Sequence, residues 1–224
     1  MRIKMKEIKT KVESEIPNQE QVWDEIAPNW KEVRQVPIKE AVDFLKDAEG
    51  NILDLGCGSG RNFVKSKGTI YGVDFSKRML TYAKLNAKKK DIKAILIKTE
   101  GHKLPFEDNF FDRAIFIATL HCITSKEKRE QALRELLRVM KPKSRALITV
   151  WNKAQPKFKE EKKEVLRGWS FNGERFERYY YLYDKKELVS LVNKVGFKII
   201  KVVDKEIQES PTFKGNILVY VEKS

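Results

Sequence analysis

Three glycines at alternate positions, Gly56, Gly58 and Gly60, follow an apolar run, Ile52 to Leu55, that carries one acid, Asp54. Glycine has no Cβ, so a strand that breaks into such a turn lets a ligand touch the main chain. A second apolar run, Thr69-Ile-Tyr-Gly-Val73, ends on Asp74, 20 residues beyond Asp54. A carboxylate at that strand tip can accept from both hydroxyls of a ribose, so the pair predicts a nucleoside-containing ligand. The dinucleotide fingerprint would need a further glycine where Arg61 stands, and the G-x-x-x-x-G-K-[ST] phosphate loop is absent. Asp54 would repel a phosphate and suits a cationic amine.

Asp54-Leu-Gly-Cys-Gly-Ser-Gly60 followed by the strand-tip Asp74 resembles the S-adenosylmethionine (SAM) site of class I methyltransferases. Glu100-Gly-His-Lys-Leu-Pro-Phe106, Phe111-Asp112 and Arg138-Val-Met-Lys-Pro142 resemble later motifs of that family, and the likeness runs through nearly all the chain beyond residue 20. It implies a SAM site built from Asp54, Gly56, Cys57, Gly58, Gly60, Asp74, Phe75, Glu100, Gly101 and Ala118. Glu100 stands where the family usually has Asp and would accept from the adenine amine. Lys143-Ser144 replaces a common Gly-Gly turn.

A narrower likeness rests on Val22-Trp-Asp-Glu-Ile-Ala-Pro28, Arg34, Leu120-His121, Val150-Trp151 and Arg178-Tyr-Tyr-Tyr-Leu-Tyr183. These segments are similar to tRNA methyltransferases that esterify the 5-carboxymethyl group of wobble uridine, among them the methyltransferase domain of an AlkB-type tRNA enzyme. In that group His121 is the first of two histidines; the second is replaced here by Cys122. The resemblance also implies a small zinc-containing activator on the edge strand, here Ile92–Ile97. That run is apolar for an edge, although Lys93 and Lys98 would equally protect a free one.

A carboxylate acceptor is ionised at neutral pH and needs no general base, so the task is to hold it in line with the methyl group. His121, Arg34, Arg178 and Tyr180 are the catalytic candidates. His121, just past the fourth strand, is expected beside the methyl group; its alternative is a loop histidine bonded to backbone. At most one arginine is expected close to the acceptor, since a cation clamping both oxygens would favour the ground state. Tyr179 to Tyr183 would keep the pocket dry or serve as ordinary core. His102 reads as an exposed loop residue. A small-molecule acceptor, such as a quinone precursor or carboxylic acid, and a non-catalytic SAM- or RNA-binding module are the alternatives.

The 224 residues carry 46 basic and 32 acidic side chains, a net +14. The excess fits a polyanionic partner, here tRNA, while a charged fraction of 35% also suits a heat-adapted surface. Arg175, Arg178, Lys31, Lys4, Lys6, Lys9 and Lys11 are candidates for an RNA-facing rim. No apolar run approaches a membrane span and no signal peptide is evident, so the chain reads as cytoplasmic. Two distant cysteines, Cys57 and Cys122, suggest neither a disulfide framework nor a metal site.

These residues need a frame, and the strand–helix alternation supplies one. The expected fold is α/β: a single Rossmann-like domain whose seven-stranded, mostly parallel sheet has helices on both faces and an antiparallel C-terminal hairpin. Residues 1–46 form a helical cap, with one helix over about 19–46; 51–150 form the cofactor core; 151–224 form the substrate side. Expected strands are Asn51–Leu55, Thr69–Val73, Ile92–Ile97, Arg113–Ala118, Arg145–Val150, Phe197–Val203 and Asn216–Val221. Helices are expected from near Arg61, after Ser76 and after Ser125. Lys153 to Lys163 reads as a solvated helix or loop.

Overall fold

The computed structural model describes residues 16–204 and 215–224. Lys4, Lys6, Lys9 and Lys11 lie outside them. Five parallel strands form most of the main sheet: β1 (Asn51–Leu55), β2 (Thr69–Asp74), β3 (Ala94–Lys98), β4 (Phe111–Ile117) and β5 (Met140–Val150). Then come β8 (Phe197–Asp204) and β9 (Ile217–Lys223), giving the order β3-β2-β1-β4-β5-β9-β8. β9 runs antiparallel to both β5 and β8. This is the expected mixed sheet with its antiparallel C-terminal pair.

Strand side chains alternate between faces, and each face builds its own core. On one side Leu53 and Leu55 of β1 meet α4 (Lys126–Val139) and α5 (Lys185–Val195) through Leu133, Leu136, Leu188 and Val192. On the other, Ile52 meets α2 (Lys39–Leu45) and α3 (Lys77–Lys89) through Ala41, Leu45, Leu80 and Ala83. Asp54 shares the face of Ile52 and is 1% exposed. Ser76 and Ser125 cap α3 and α4 as expected, accepting from the backbone N–H groups of Met79 and Lys128.

Two expectations about the elements are corrected, and one segment without an expected element gains one. The single helix over 19–46 is two, α1 (Gln19–Val33) and α2, because Pro37 drives Val36 out of the helical region. No helix begins near Arg61; residues 58–62 are turns and the chain then runs without regular structure to β2. Eight residues must return along β1, and as a helix they would span roughly 12 Å, against ~17 Å for the five-residue strand. Lastly, the Arg- and Tyr-rich segment is a hairpin of β6 (Glu164–Phe171) and β7 (Glu174–Tyr181). Asn172 and Gly173, both at positive φ, make its two-residue turn. Lys153–Lys163 is largely loop, pinned by a short 3-10 turn that buries Phe158.

Candidate active site

The carboxyl ends of β1 to β4 open into a cavity of about 640 Å³. Leu55 and Gly56, Val73 to Phe75, Thr99 to His102, and Thr119 line it from those strand ends. The first turn of α1, Gln19 and Glu20, forms a wall with Ile16 to Asn18 before it, and Cys122 to Ser125 with Lys128 forms another.

Gly56 N–H and Cys57 N–H both donate to the Val73 carbonyl, folding the glycine loop over β2. Gly56 has φ +75°, and a Cβ there would lie 2.2 Å from Thr119 Cγ2. Gly58, at φ +52°, has no atom within 4 Å of the Cβ position, so its backbone faces open space. Gly60 leaves room for the Phe63 ring, 2.8 Å from where its Cβ would be. Cys57 is buried beneath the loop, and burial pushes its thiol well above the ordinary range.

Asp74 Oδ2 accepts from Gly58 N–H at 2.9 Å and Oδ1 from Ser76 N–H at 2.9 Å, which fixes the carboxylate at the cavity wall. Burial raises it to about 6 against those hydrogen bonds. Asp54 differs: neither carboxylate oxygen has a hydrogen-bond partner. Burial first, and Asp74 second, push it up to about 8. A buried acid left unsatisfied in this way is the feature a cationic group would complete. Glu100, on the cavity wall, pairs with Lys128 at 3.0 Å and His102 at 3.2 Å. Burial raises it, but Lys128 and His102 outweigh burial and hold it below the usual carboxylate range. His102 is therefore not the exposed loop residue expected; its side chain is 10% exposed and faces Glu100. Ala118 has φ +52°, an uncommon conformation for a residue with a Cβ. It lies behind the wall, where its N–H donates to Thr149 Oγ1 at 2.9 Å and its carbonyl accepts the Cys122 thiol at 3.5 Å.

Beyond Cys122 lies an aromatic cluster. Cys122, Trp23 and Trp151 pack with Phe158, Val165, Tyr180 and Leu182. Tyr180 stacks on Trp151 at 4.1 Å between centroids. Arg178, 7% exposed, donates to Tyr180 Oη at 2.8 Å and to the Gly168 carbonyl at 3.4 Å. Its guanidinium lies 4.8 Å from the Trp169 ring, 5.3 Å from Trp30 and 5.9 Å from Trp23. Its Nε is buried without a partner, and among the described residues no carboxylate pairs with it. Four ring contacts at ~0.5–2 kcal/mol each are together of the same order as the several kcal/mol that desolvating an ion costs, so the cage can hold the cation without a counter-ion. Arg178 is thus a buried cation without a carboxylate partner among the described residues, in the aromatic cluster behind Cys122 and not itself part of the cavity wall.

His121 is 1% exposed and is not part of the cavity wall; Cys122 takes that place. Its Nδ1 accepts the Trp151 backbone N–H at 3.2 Å and its ring stacks on Trp151 at 5.3 Å. Burial lowers it to about 3, so the imidazole is neutral. The backbone-bonded alternative describes it, in place of a residue beside the transferred methyl. Arg34 caps α1 and lies 5.2 Å from the Trp30 ring; Lys157 stands 5.2 Å from Trp151. Arg175 is spent on Glu177 at the hairpin tip, and Lys31 sits over Tyr82 beside Glu32. Trp23, Trp30 and Trp169 went unrecognised as a cage around Arg178. The Asn172-Gly173 turn signal between alternating runs would have brought Trp169 opposite Phe176, next to Arg178.

A family model described as a methyltransferase domain matches residues 53–148. A putative methyltransferase of Encephalitozoon cuniculi is 30% identical over 166 residues, 71% of this chain and 75% of that protein. The tRNA (carboxymethyluridine(34)-5-O)-methyltransferase of Mus musculus is 31% identical over 71% of this chain, which spans only 24% of the mouse protein. The enzyme of that name from Schizosaccharomyces pombe is 27% identical, covering 81% of this chain and 89% of its own. Among solved structures, a SAM-dependent methyltransferase from Methanosarcina mazei superposes with TM-score 0.67 at 22% identity, over 84% of this chain and 98% of its own. The putative methyltransferase in a complex with the Haloferax volcanii Trm112 activator gives 0.68 at 16%, over 92% and 96%. Both show the fold. With a methyltransferase relative 30% identical and matched over three quarters of its length, the chain belongs to the methyltransferases.

Proposed function

We propose that this methyltransferase esterifies a carboxylate on a nucleic-acid base, the 5-carboxymethyl group of wobble uridine in tRNA. The observation that carries the reading is Arg178, a buried guanidinium with no carboxylate partner among the described residues, set in an aromatic cage that packs behind the cavity-wall residue Cys122. The names of the mouse and fission-yeast relatives support the same acceptor, as does the net charge of +14.

The cofactor supplies an electrophilic methyl group on a sulfonium. Asp54 would take its ammonium group, and Asp74 its ribose hydroxyls through lone pairs left beside Gly58 and Ser76. The open space at Gly58 admits the backbone approach such a ligand needs, while Gly56, Cys57 and Gly60 shape the loop. Phe75, Glu100 and Gly101 would flank the adenine. Glu100 keeps acceptor capacity beyond its bonds to Lys128 and His102. Ala118 acts from behind the wall, through Cys122.

Arg178 would orient one carboxylate oxygen, with Tyr180 holding the guanidinium in place. Arg34 lies further out and would meet the nucleotide. Neutral His121 positions Trp151, and no residue need take a proton, because a carboxylate is already ionised. Water is kept away by Trp23, Trp151 and Tyr180. A small zinc-binding activator would lie along edge strand β3, where Ile95 is 44% exposed. Among the described residues no helix is long and apolar enough to cross a membrane.

Methyl-labelled SAM, incubated with the protein and bulk tRNA with and without an activator, tests the reading after nucleoside digestion. An alkali-labile label on a uridine derivative is expected. Label confined to small molecules in a parallel metabolite extract would overturn it.

A further inference from the structure

We infer that Gln19 is a positioning residue that couples occupancy of the cofactor cavity to the placement of Arg178. The inference rests on the reading of Arg178 as the acceptor's partner only for its kinetic consequence.

Gln19 is 8% exposed although it is polar and sits in the first turn of a helix. Its side-chain amide leaves α1 altogether. Nε2 donates to the Glu177 carbonyl at 3.2 Å, and Oε1 accepts from Tyr179 N–H at 2.8 Å. Those are the two residues that flank Arg178. In β7, Glu177 and Tyr179 present their backbone groups on the edge away from β6, whereas Arg178 pairs with Arg167 across the hairpin. A donor to the preceding carbonyl and an acceptor from the following N–H make the pattern that a parallel strand neighbour of Arg178 would provide. One side chain therefore does for this edge what a backbone would do, and does it only at Arg178. A second Nε2 contact, to the Pro17 carbonyl at 3.0 Å, ties the segment just before α1 into the same node.

The other side of Gln19 faces function of a different kind. Gln19 and its neighbours Pro17, Asn18 and Glu20 are part of the cavity wall opposite Gly56 and Asp74. Glu20 reaches Lys98 at the end of β3 at 2.6 Å, and Asp24 one turn on accepts from Ser76 Oγ and Arg78 N–H at the start of α3. The first turns of α1 are thus latched to the strand ends that make the cofactor site, and Gln19 carries the latch to β7. A ligand that orders this wall also orders the strand segment bearing Arg178.

Hydrogen exchange of the full chain, with and without SAM, reads this directly. In the unsubstituted protein the cofactor should slow exchange across 174–181 at least about threefold. Gln19→Met keeps the volume but removes both hydrogen bonds to β7 and the one to Pro17. Compared at SAM concentrations that calorimetry shows to saturate each protein, it should lose the slowing at 174–181. With tRNA as acceptor, its KM should rise about tenfold. Gln19→Glu, which keeps the acceptor for Tyr179 N–H and loses the donor, should fall between and serves if the Met variant does not fold. No cofactor effect at 174–181 in the unsubstituted protein, or an undiminished effect in the variants, would overturn the coupling. So would uniformly faster exchange over the whole chain, which would mark Gln19 as simply structural. Coupling present without transfer to tRNA would remove the acceptor reading and leave this inference standing.

Discussion

Replacing Asp54 by Asn should make the cofactor-free protein more stable at neutral pH while weakening its grip on the cofactor. In the unfolded chain this carboxyl titrates near 3.8, and in the fold burial raises it to about 8. An acid whose folded value is raised is neutral in the fold while it is ionised in the unfolded chain. Stability is full below the unfolded value, falls as pH rises between the two, and levels off above the folded one. At pH 7 the gap is about three pH units at ~1.4 kcal/mol each, a ceiling of ~4 kcal/mol. The Asn amide is itself buried without partners and costs ~1–3 kcal/mol, leaving a net gain of about 1–3 kcal/mol. For a chain of this size that raises Tm by roughly 2–12 °C. The gain should be present at pH 7 to 8 and turn into a loss near pH 4, where the ionisation difference is gone and only the amide's cost of ~1–3 kcal/mol is left. Thermal denaturation of the two cofactor-free proteins at those pH values measures it. Calorimetric SAM binding supplies the other half. Because a cation draws Asp54 back toward the ionised form, affinity in the unsubstituted protein should climb with pH between about 4 and 8. In Asp54→Asn that slope should be smaller by about one proton, leaving the contribution of Asp74, which titrates at about 6. A stability change that is the same at pH 4 and pH 8, or an unchanged binding slope, would refute the claim that Asp54 is an uncompensated acid awaiting a cation.

Arg178→Met should leave SAM affinity within about threefold and thermal stability equal or higher, since it removes a buried unpaired charge. Methyl transfer should drop about 100-fold or more, as single-turnover assays would show. Arg178→Lys should recover only part of the activity, because a point charge cannot reproduce the planar fork between Tyr180 and the cage. Gly56→Ala should abolish cofactor binding in a filter or calorimetric assay, because its Cβ would fall 2.2 Å from Thr119 Cγ2 at a φ of +75°. Adding Thr119→Gly should restore folding more than binding. The single-turnover rate should show no ionisation attributable to His121 between pH 5 and 8, since burial lowers it to about 3. An inflection near 6.5 that disappears in His121→Asn would contradict this.

The strand ends and glycine turns that open into the cavity were legible because they are written in contiguous residues. Gly56 to Gly60 and Asp74 follow strands whose apolar runs mark their own ends, and ligands of such sheets sit at those ends. Where local pattern met a geometric requirement, it failed. Residues after Arg61 could have formed a helix, but the distance back along β1 demanded an extended path. His121 is next to the strand end in sequence, yet the 3-10 turn of Leu120–Cys122 directs it inward and gives the cavity to Cys122. The acceptor side was legible as a set of residue types and not as an arrangement. Trp23 and Trp30 come from α1, Trp169 from β6 and Arg178 from β7, and no spacing in the chain announces that they converge. Gln19 had no signal at all. Its amide acts as a backbone substitute for a strand 158 residues away, and only coordinates reveal that role.

Asp54 and Arg178 complement each other in a way neither shows alone. Each is nearly fully buried and each has polar atoms without partners; Arg178 is a cation, and Asp54 is an acid that would ionise only beside a cation. A fold selected for stability alone would remove both, because buried polar groups without partners are costly and apolar replacements are often stabilising. A methyl transfer from a sulfonium to a carboxylate brings the two missing partners: a cationic amino-acid end for the acid and an anionic acceptor for the arginine. The reaction then cancels the sulfonium against the carboxylate, so the ester product no longer offers Arg178 a full negative charge. Arg178 would therefore bind acceptor more tightly than product, and the same unpaired cation that captures the carboxylate favours release of the ester. Ester-bearing tRNA should accordingly bind more weakly than carboxylate-bearing tRNA to the unsubstituted protein, with the difference lost in Arg178→Met. Equal affinities for the two tRNAs in the unsubstituted protein would show that Arg178 does not face the reacting group.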